Sequence, residues 1–217
     1  MVKKSILAGT FLSSILLAGC VFGSSPEEDI SGILDSTVEK EQGFVDSQEP
    51  IKKLEQEEQE LFDKIMSLNM EEFKEVEKQA DQALNNLEKR EEQLTTEKES
   101  IEEAKEEFKG INDRAEDIED EKLRAHVENM IEVMDKRYKL HGELAAQYTE
   151  ALEYDRELYT MLKDKELKLE DLEAQIEKVN AQYNLITESN EEFNSITDEY
   201  NSLKNEYYDL AKLNEEE

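Results

Sequence analysis

From Phe73 to Ile118 apolar side chains recur at steps of three, four or seven residues, and no proline interrupts them. Phe73, Val76, Ala80, Ala83, Leu87, Leu94, Ile101, Ala104, Phe108, Ile111, Ala115 and Ile118 thus line one side of an α-helix, the pattern of a helix packed lengthwise on others. Such a helix is roughly 65–70 Å long at 1.5 Å per residue. It can bury that stripe only against partners of similar length, and the same chain supplies them. Ile30, Ile33, Phe44, Ile51, Leu54, Leu61, Ile65 and Leu68 share one register upstream. After a phase slip at Asp120, Leu123, Val127, Met130, Met134, Tyr138, Leu144, Tyr148, Leu152 and Tyr159 form a third stripe, ending near Asp164. A fourth runs from Leu169 through Leu172, Ile176, Val179, Tyr183, Ile186, Phe193, Tyr200, Leu203 and Tyr207 to Leu210, before an acidic tail. With 7 glycines and 2 prolines there are too few turn-formers for a many-stranded β fold. The fold expected is all-α: an elongated up-and-down antiparallel bundle of four coiled-coil-like helices, or three with the first segment detached.

Local signals place the ends. Ser25-Pro26-Glu27-Glu28 has the form of a capping box, with proline at the first helical position, where its missing N–H costs nothing. Asn69 and Glu72 form a second box ahead of Phe73. The first segment reads as one helix kinked near Pro50, or as two separated at Asp46 to Glu49. The phase slip puts the next reversal at Asp117 to Glu121, although Gly110-Ile111-Asn112-Asp113 has the better turn residues.

Ahead of the bundle, Lys3 and Lys4 precede an apolar stretch from Ser5 to Leu16 and then Leu17-Ala18-Gly19-Cys20. This reads as an export signal, and it is far shorter than the roughly 20 apolar residues of a permanent membrane span. Leu-Ala-Gly-Cys resembles the bacterial lipoprotein signal, which implies that Cys20 carries diacylglycerol and becomes the new N-terminus. Cys20 is the chain's one cysteine, so no disulfide competes for it. The expected organisation is a signal peptide over 1–19, a lipidated cysteine and short tether over 20–25, and one helical domain over 26–217.

Glu41-Gln42-Gly43-Phe44, Leu54-Glu55-Gln56-Glu57-Glu58-Gln59-Glu60-Leu61, Lys136-Arg137-Tyr138 and Glu157 to Lys165 continuing through Val179-Asn180 resemble the YkyA-type cell-wall-binding lipoproteins of Gram-positive bacteria. The resemblance covers nearly the whole mature chain. It implies a long helical bundle on the extracytoplasmic face of the cell membrane, with an affinity for the wall, and it brings no catalytic residues.

Charge excludes other partners. The chain has 57 acidic and 26 basic side chains, a net −31, and no basic run, so nucleic acid is repelled. The phosphate-rich polymers of a Gram-positive wall meet the same sign of charge. Neither His126 nor His141 has a glutamate three residues before it, so a Glu-x-x-His metal pair is excluded, and both are expected at the surface or rim. Acidic clusters such as Glu102-Glu103 with Glu106-Glu107 read as solvated faces rather than cation sites. All eight tyrosines lie between Tyr138 and Tyr208, and they are expected in the core or rim with hydroxyls reaching water rather than as a sugar-stacking surface. Met130 and Met134 read as core filling. No catalytic arrangement and no cofactor motif is present, so a non-enzymatic role is expected. The choices are a tether from membrane to cell wall, whether peptidoglycan or wall polymers, and a scaffold for another membrane or secreted protein.

Overall fold

Ser25 begins the first helix. Its Oγ accepts from the Glu28 amide at 3.2 Å while the Glu28 carboxylate accepts from the Ser25 amide at 3.0 Å, and Pro26 opens α1 (Pro26–Lys40). The structure, a computed structural model, describes residues 24–213; the export signal and Cys20 lie outside the described residues. α1 passes into α2 (Gln42–Ser67) across Glu41. The interruption therefore falls neither at Pro50 nor at Asp46 to Glu49, which lie inside α2. Ser100 explains its place: the Oγ accepts from the Phe44 amide at 3.0 Å and donates to the Lys40 carbonyl at 2.6 Å. A neighbouring hydroxyl thus sits where the helix's own i→i−4 bond would run, a known cause of bends. Gly43 admits it, since a Cβ there would lie 2.9 Å from Ser100 Cβ.

After α2 the Asn69 side chain accepts from the Glu71 amide at 2.8 Å, and a 3₁₀ turn, Met70–Glu72, leads into α3 (Phe73–Phe108). Lys109 and Gly110 only bend the chain into the short α4 (Ile111–Glu116). The reversal comes where the phase slip places it, and Asp120 accepts from the Lys122 and Leu123 amides at 2.8 and 3.1 Å to begin α5 (Glu121–Met161). A turn held by Asp164, which accepts from the Glu166 amide, leads to α6 (Leu169–Leu210).

The described residues form four antiparallel arms: α1 with α2, α3 with α4, α5, and α6. α2 lies along α3 and α5 along α6; α3 packs on α5, and α1 covers α3 and α4. The proximal end holds the start of α1, the α4–α5 reversal and the last turn of α6, joined where the Tyr207 hydroxyl donates to the Glu27 carbonyl at 2.7 Å and Arg114 pairs with Asp29 at 3.3 Å. The distal end holds the other two turns, where Lys163 pairs with Asp81 and Lys165 lies 5.0 Å from the centre of the Phe73 ring. The apolar core is in two parts. Ile30, Leu34, Phe108, Ile118 and Met130 belong to the proximal part, and Ile65, Leu87, Leu94, Leu152 and Leu158 to the distal one. Met130 and Met134 are buried, as core filling requires.

α6 departs most from its expected stripe. Leu169 is 68% exposed and Leu172 only half-buried. Gln175 and Gln182 take the buried line instead, and their amides donate to the Tyr154 and Gln147 carbonyls of α5 at 2.8 and 2.9 Å. A buried carboxamide is tolerated where a backbone oxygen satisfies it.

Candidate functional site

Every stripe skips beats, and the fold fills those beats with buried polar side chains. Arg90 lies between Leu87 and Leu94, and Glu97 between Leu94 and Ile101; they are 0% and 7% exposed. Glu58 falls between Leu54 and Leu61 on α2, and His141 and Asp155 keep the phase of α5. Together they build charged layers through the middle of the rod.

The largest layer surrounds Arg90. Its guanidinium lies 3.5 Å from Glu55, 3.5 Å from Glu58 and 3.6 Å from Asp155. It donates to the Tyr148 hydroxyl at 2.8 and 3.0 Å and to the Tyr183 hydroxyl at 2.7 Å. Each carboxylate in turn accepts a tyrosine proton: Glu55 from Tyr148 and Asp155 from Tyr183, both at 2.7 Å, and Glu58 from Tyr159. Tyr148, Tyr159 and Tyr183 thus pack inward, with hydroxyls spent on acids rather than on water. Burial, then the charge of Glu58, push the Asp155 carboxyl up to about 7 against the Tyr183 hydrogen bond and Arg90. Burial likewise raises Glu58. Burial alone would lower Arg90, but facing Tyr183, Tyr148, Glu55 and Glu58 outweigh it and the guanidinium stays charged.

Two smaller layers lie toward the proximal end. His141, expected at the rim, is 3% exposed; its Nε2 is 2.9 Å from Glu97, which also accepts from Gln48 at 2.9 Å. The Phe44 and Phe193 rings each centre 5.7 Å from the imidazole. The only signal for its burial was its phase with Met134 and Tyr138. His126 does sit half-buried at the rim, its Nε2 2.8 Å from the Leu203 carbonyl. Arg137 grips both oxygens of Glu41, the residue at the α1–α2 break, at 2.5 and 3.0 Å, and donates to Thr197. Among the described residues no group of His, Cys, Asp and Glu is arranged to hold a metal ion. These layers satisfy themselves. Their chemistry is that of register, a charge on one arm accepting only its own partners on the others.

An open groove of about 1230 Å³ lies between α2 and α3 in the distal half. Lys64, Lys74, Lys78, Lys89 and Lys163 surround it, interspersed with Glu57, Glu60, Glu77 and Asp81. Gln79, Gln82, Asn85 and Asn86 add a row of amides on its α3 wall. The sequence has no basic run because these lysines come from three separate segments. Lys64 and Lys78 share Glu75, each at 3.3 Å, and Lys163 holds Asp81; Lys74 and Lys89 have no carboxylate within 4 Å among the described residues. Asn86 is 4% exposed; its Nδ2 donates to the Leu54 carbonyl at 3.0 Å and its Oδ1 has no partner.

Residues 25–210 match the YkyA family model, described as "Putative cell-wall binding lipoprotein". A Bacillus subtilis (strain 168) protein named "Uncharacterized lipoprotein YkyA" is 35% identical over 166 residues, covering 76% of this chain and 74% of its own. A crystal structure of a protein of unknown function from Staphylococcus aureus has a TM-score of 0.66 at 18% identity, over 87% of this chain and 98% of that one. At that identity the likeness bears on the fold alone.

Proposed function

The chain belongs to the YkyA family of lipoproteins, and from that premise we propose that it is a non-enzymatic tether on the extracytoplasmic face of the membrane, anchored by lipid on Cys20 and reaching into the cell wall. The observation that carries this reading is the opposition of the two ends. Cys20 lies just ahead of Ser24, so a lipid there holds the proximal end at the membrane. The polar groove lies in the other half, and arms of 41 and 42 residues make the rod on the order of 60 Å long at 1.5 Å per residue. No helix among the described residues is long and apolar enough to cross a membrane, so in this reading attachment rests on lipid. Two acyl chains suffice, since each buried methylene contributes about 0.8 kcal/mol. The charged side chains of the rod's interior are consumed by one another, which suits a spacer.

Cells fed a labelled fatty-acid analogue are expected to tag the wild-type chain and not Cys20→Ala, which should leave the membrane fraction. Equal labelling of both would remove the anchor from this account.

A further inference from the structure

We propose that the Arg90 layer is a proton-operated latch between two helix pairs: α2 with α3 and α5 with α6 stay joined along their whole length while the layer holds a proton, and their distal halves part when it is lost. The inference goes beyond the tether reading and does not depend on what the rod binds.

The packing divides the bundle at the plane of this layer. α2 lies along α3 and α5 along α6, but between these pairs helix packs lengthwise on helix only where α3 meets α5. α2 reaches α5 through side chains, the Tyr148 and Tyr159 hydroxyls donating to Glu55 and Glu58. Asp155 of α5 faces Glu55 and Glu58 from α2, Arg90 from α3 and Tyr183 from α6, with Tyr148 and Tyr159 beside it on its own helix.

Three carboxylates share one guanidinium, so with all of them ionised two negative charges stand uncompensated. The tyrosines cannot relieve them, because each already donates its one proton to an acid. Arg90 is fully enclosed and Asp155 is 2% exposed, so solvent screens the repulsion little. One proton on Asp155 removes half of the excess, and burial, then the charge of Glu58, hold it there up to about pH 7. Once it leaves, moving the acids of α2 away from that of α5 relieves the repulsion, and that movement separates the pairs.

The two halves resist parting unequally. In the proximal half Arg137 meets Glu41 one to one, His141 meets Glu97, and the Phe44 and Phe193 rings flank the imidazole from opposite pairs. Tyr207 adds its bond to the Glu27 carbonyl. Beyond the Arg90 layer the pairs are pinned at the tip by Lys163 with Asp81 and by Lys165 on the Phe73 ring. There Phe62, Leu172, Ile176 and Val179 are only partly buried, so parting them exposes less new apolar surface than fully buried residues would.

The test measures two distances in the full chain in detergent, with spin labels carried on unnatural amino acids that leave Cys20 unaltered. One pair of labels, at Met66 of α2 and Glu173 of α6, spans the distal half; the other, at Val38 of α1 and Asn201 of α6, spans the proximal half, and all four positions are exposed. Pulsed distance measurements and helix content by circular dichroism are taken from pH 5 to pH 9. A second, longer distance is expected between Met66 and Glu173. Its ratio to the short one should rise about tenfold per pH unit up to pH 7 and level off above, as release of one proton on opening requires. The Val38–Asn201 distance and the helix content should stay constant. Asp155→Asn, which can still accept from Tyr183, and Glu58→Gln each remove one of the surplus charges, so each should keep the short distal distance at pH 9. An unchanged Met66–Glu173 distance across the wild-type series would overturn the latch. Loss of both short distances together with helicity would show general unfolding and overturn it too. An opening that persists in either variant while it remains helical would place the cause outside the layer and refute the assignment.

Discussion

Replacing Arg90 by methionine is expected to destabilise the bundle by about 3–5 kcal/mol, the range seen when one partner of a buried ionic group is removed. Methionine is unbranched and pliable, so it fills most of the vacated space and the loss reports charge rather than a cavity. Without the guanidinium, Glu55, Glu58 and Asp155 face one another, and the Tyr148 and Tyr183 hydroxyls lose a donor. Only Glu55 has appreciable access to water, at 28% side-chain exposure. Adding Glu55→Gln, Glu58→Gln and Asp155→Asn to Arg90→Met should recover most of the stability, because removal of every charge leaves none unpaired. Denaturant unfolding at pH 8 gives both values. A cost for Arg90→Met near that of an exposed substitution, within about 0.5 kcal/mol, would show that the layer does not hold the arms together.

The same layer makes stability fall as pH rises, the reverse of the behaviour of a salt-bridged carboxylate. The unfolded Asp155 carboxyl titrates near its ordinary value of about 3.9; the folded one is raised to about 7. Between those two values the folded state holds a proton that the unfolded state has lost, so each step upward in pH favours unfolding. The contribution is complete below pH 4, is lost through the window up to pH 7, and is flat above it. At about 1.4 kcal/mol per unit the loss is on the order of a few kcal/mol. Glu58, raised by burial, acts in the same direction. Asp155→Asn is permanently neutral and can still accept from Tyr183, so it should reduce the difference in stability between pH 5 and pH 8 relative to the wild type. A wild-type profile that rises over this interval, or a slope unchanged by Asp155→Asn, would contradict the raised carboxyl.

What could be read from the residues follows the strength of the local signal. Four arms, their antiparallel order, the Ser25 and Asn69 boxes and the reversal at Asp120 all depend on apolar periodicity and short-range hydrogen bonds, which a single sequence displays. The break at Glu41 was hidden because its cause is Ser100, remote in the chain and brought close only by packing against Gly43. Pro50 lies inside α2 without ending it, because proline removes one donor and a helix can lose one bond and continue. Arg90, Glu97 and Asp155 stand at gaps in the apolar stripes, and the sequence places His141 at the surface or rim. Their phase was visible, but a charge in register reads as an exposed residue until its partners on the other arms are known. The groove is the same problem on the surface: Lys64, Lys89 and Lys163 are unremarkable in a chain with so many charges, and only the fold sets them around one row of amides.

The anchored rod is expected to meet the wall with its distal end. A photoreactive residue placed at Glu166, exposed in the distal α5–α6 turn, or at Glu119, exposed in the proximal reversal, tests it in the full lipidated chain on intact cells. Illumination is expected to join the chain to wall glycan from position 166 and to yield little or none from position 119. Adducts with another protein alone from position 166 would favour a scaffold, and equal wall adducts from both positions would contradict the assigned polarity of the tether.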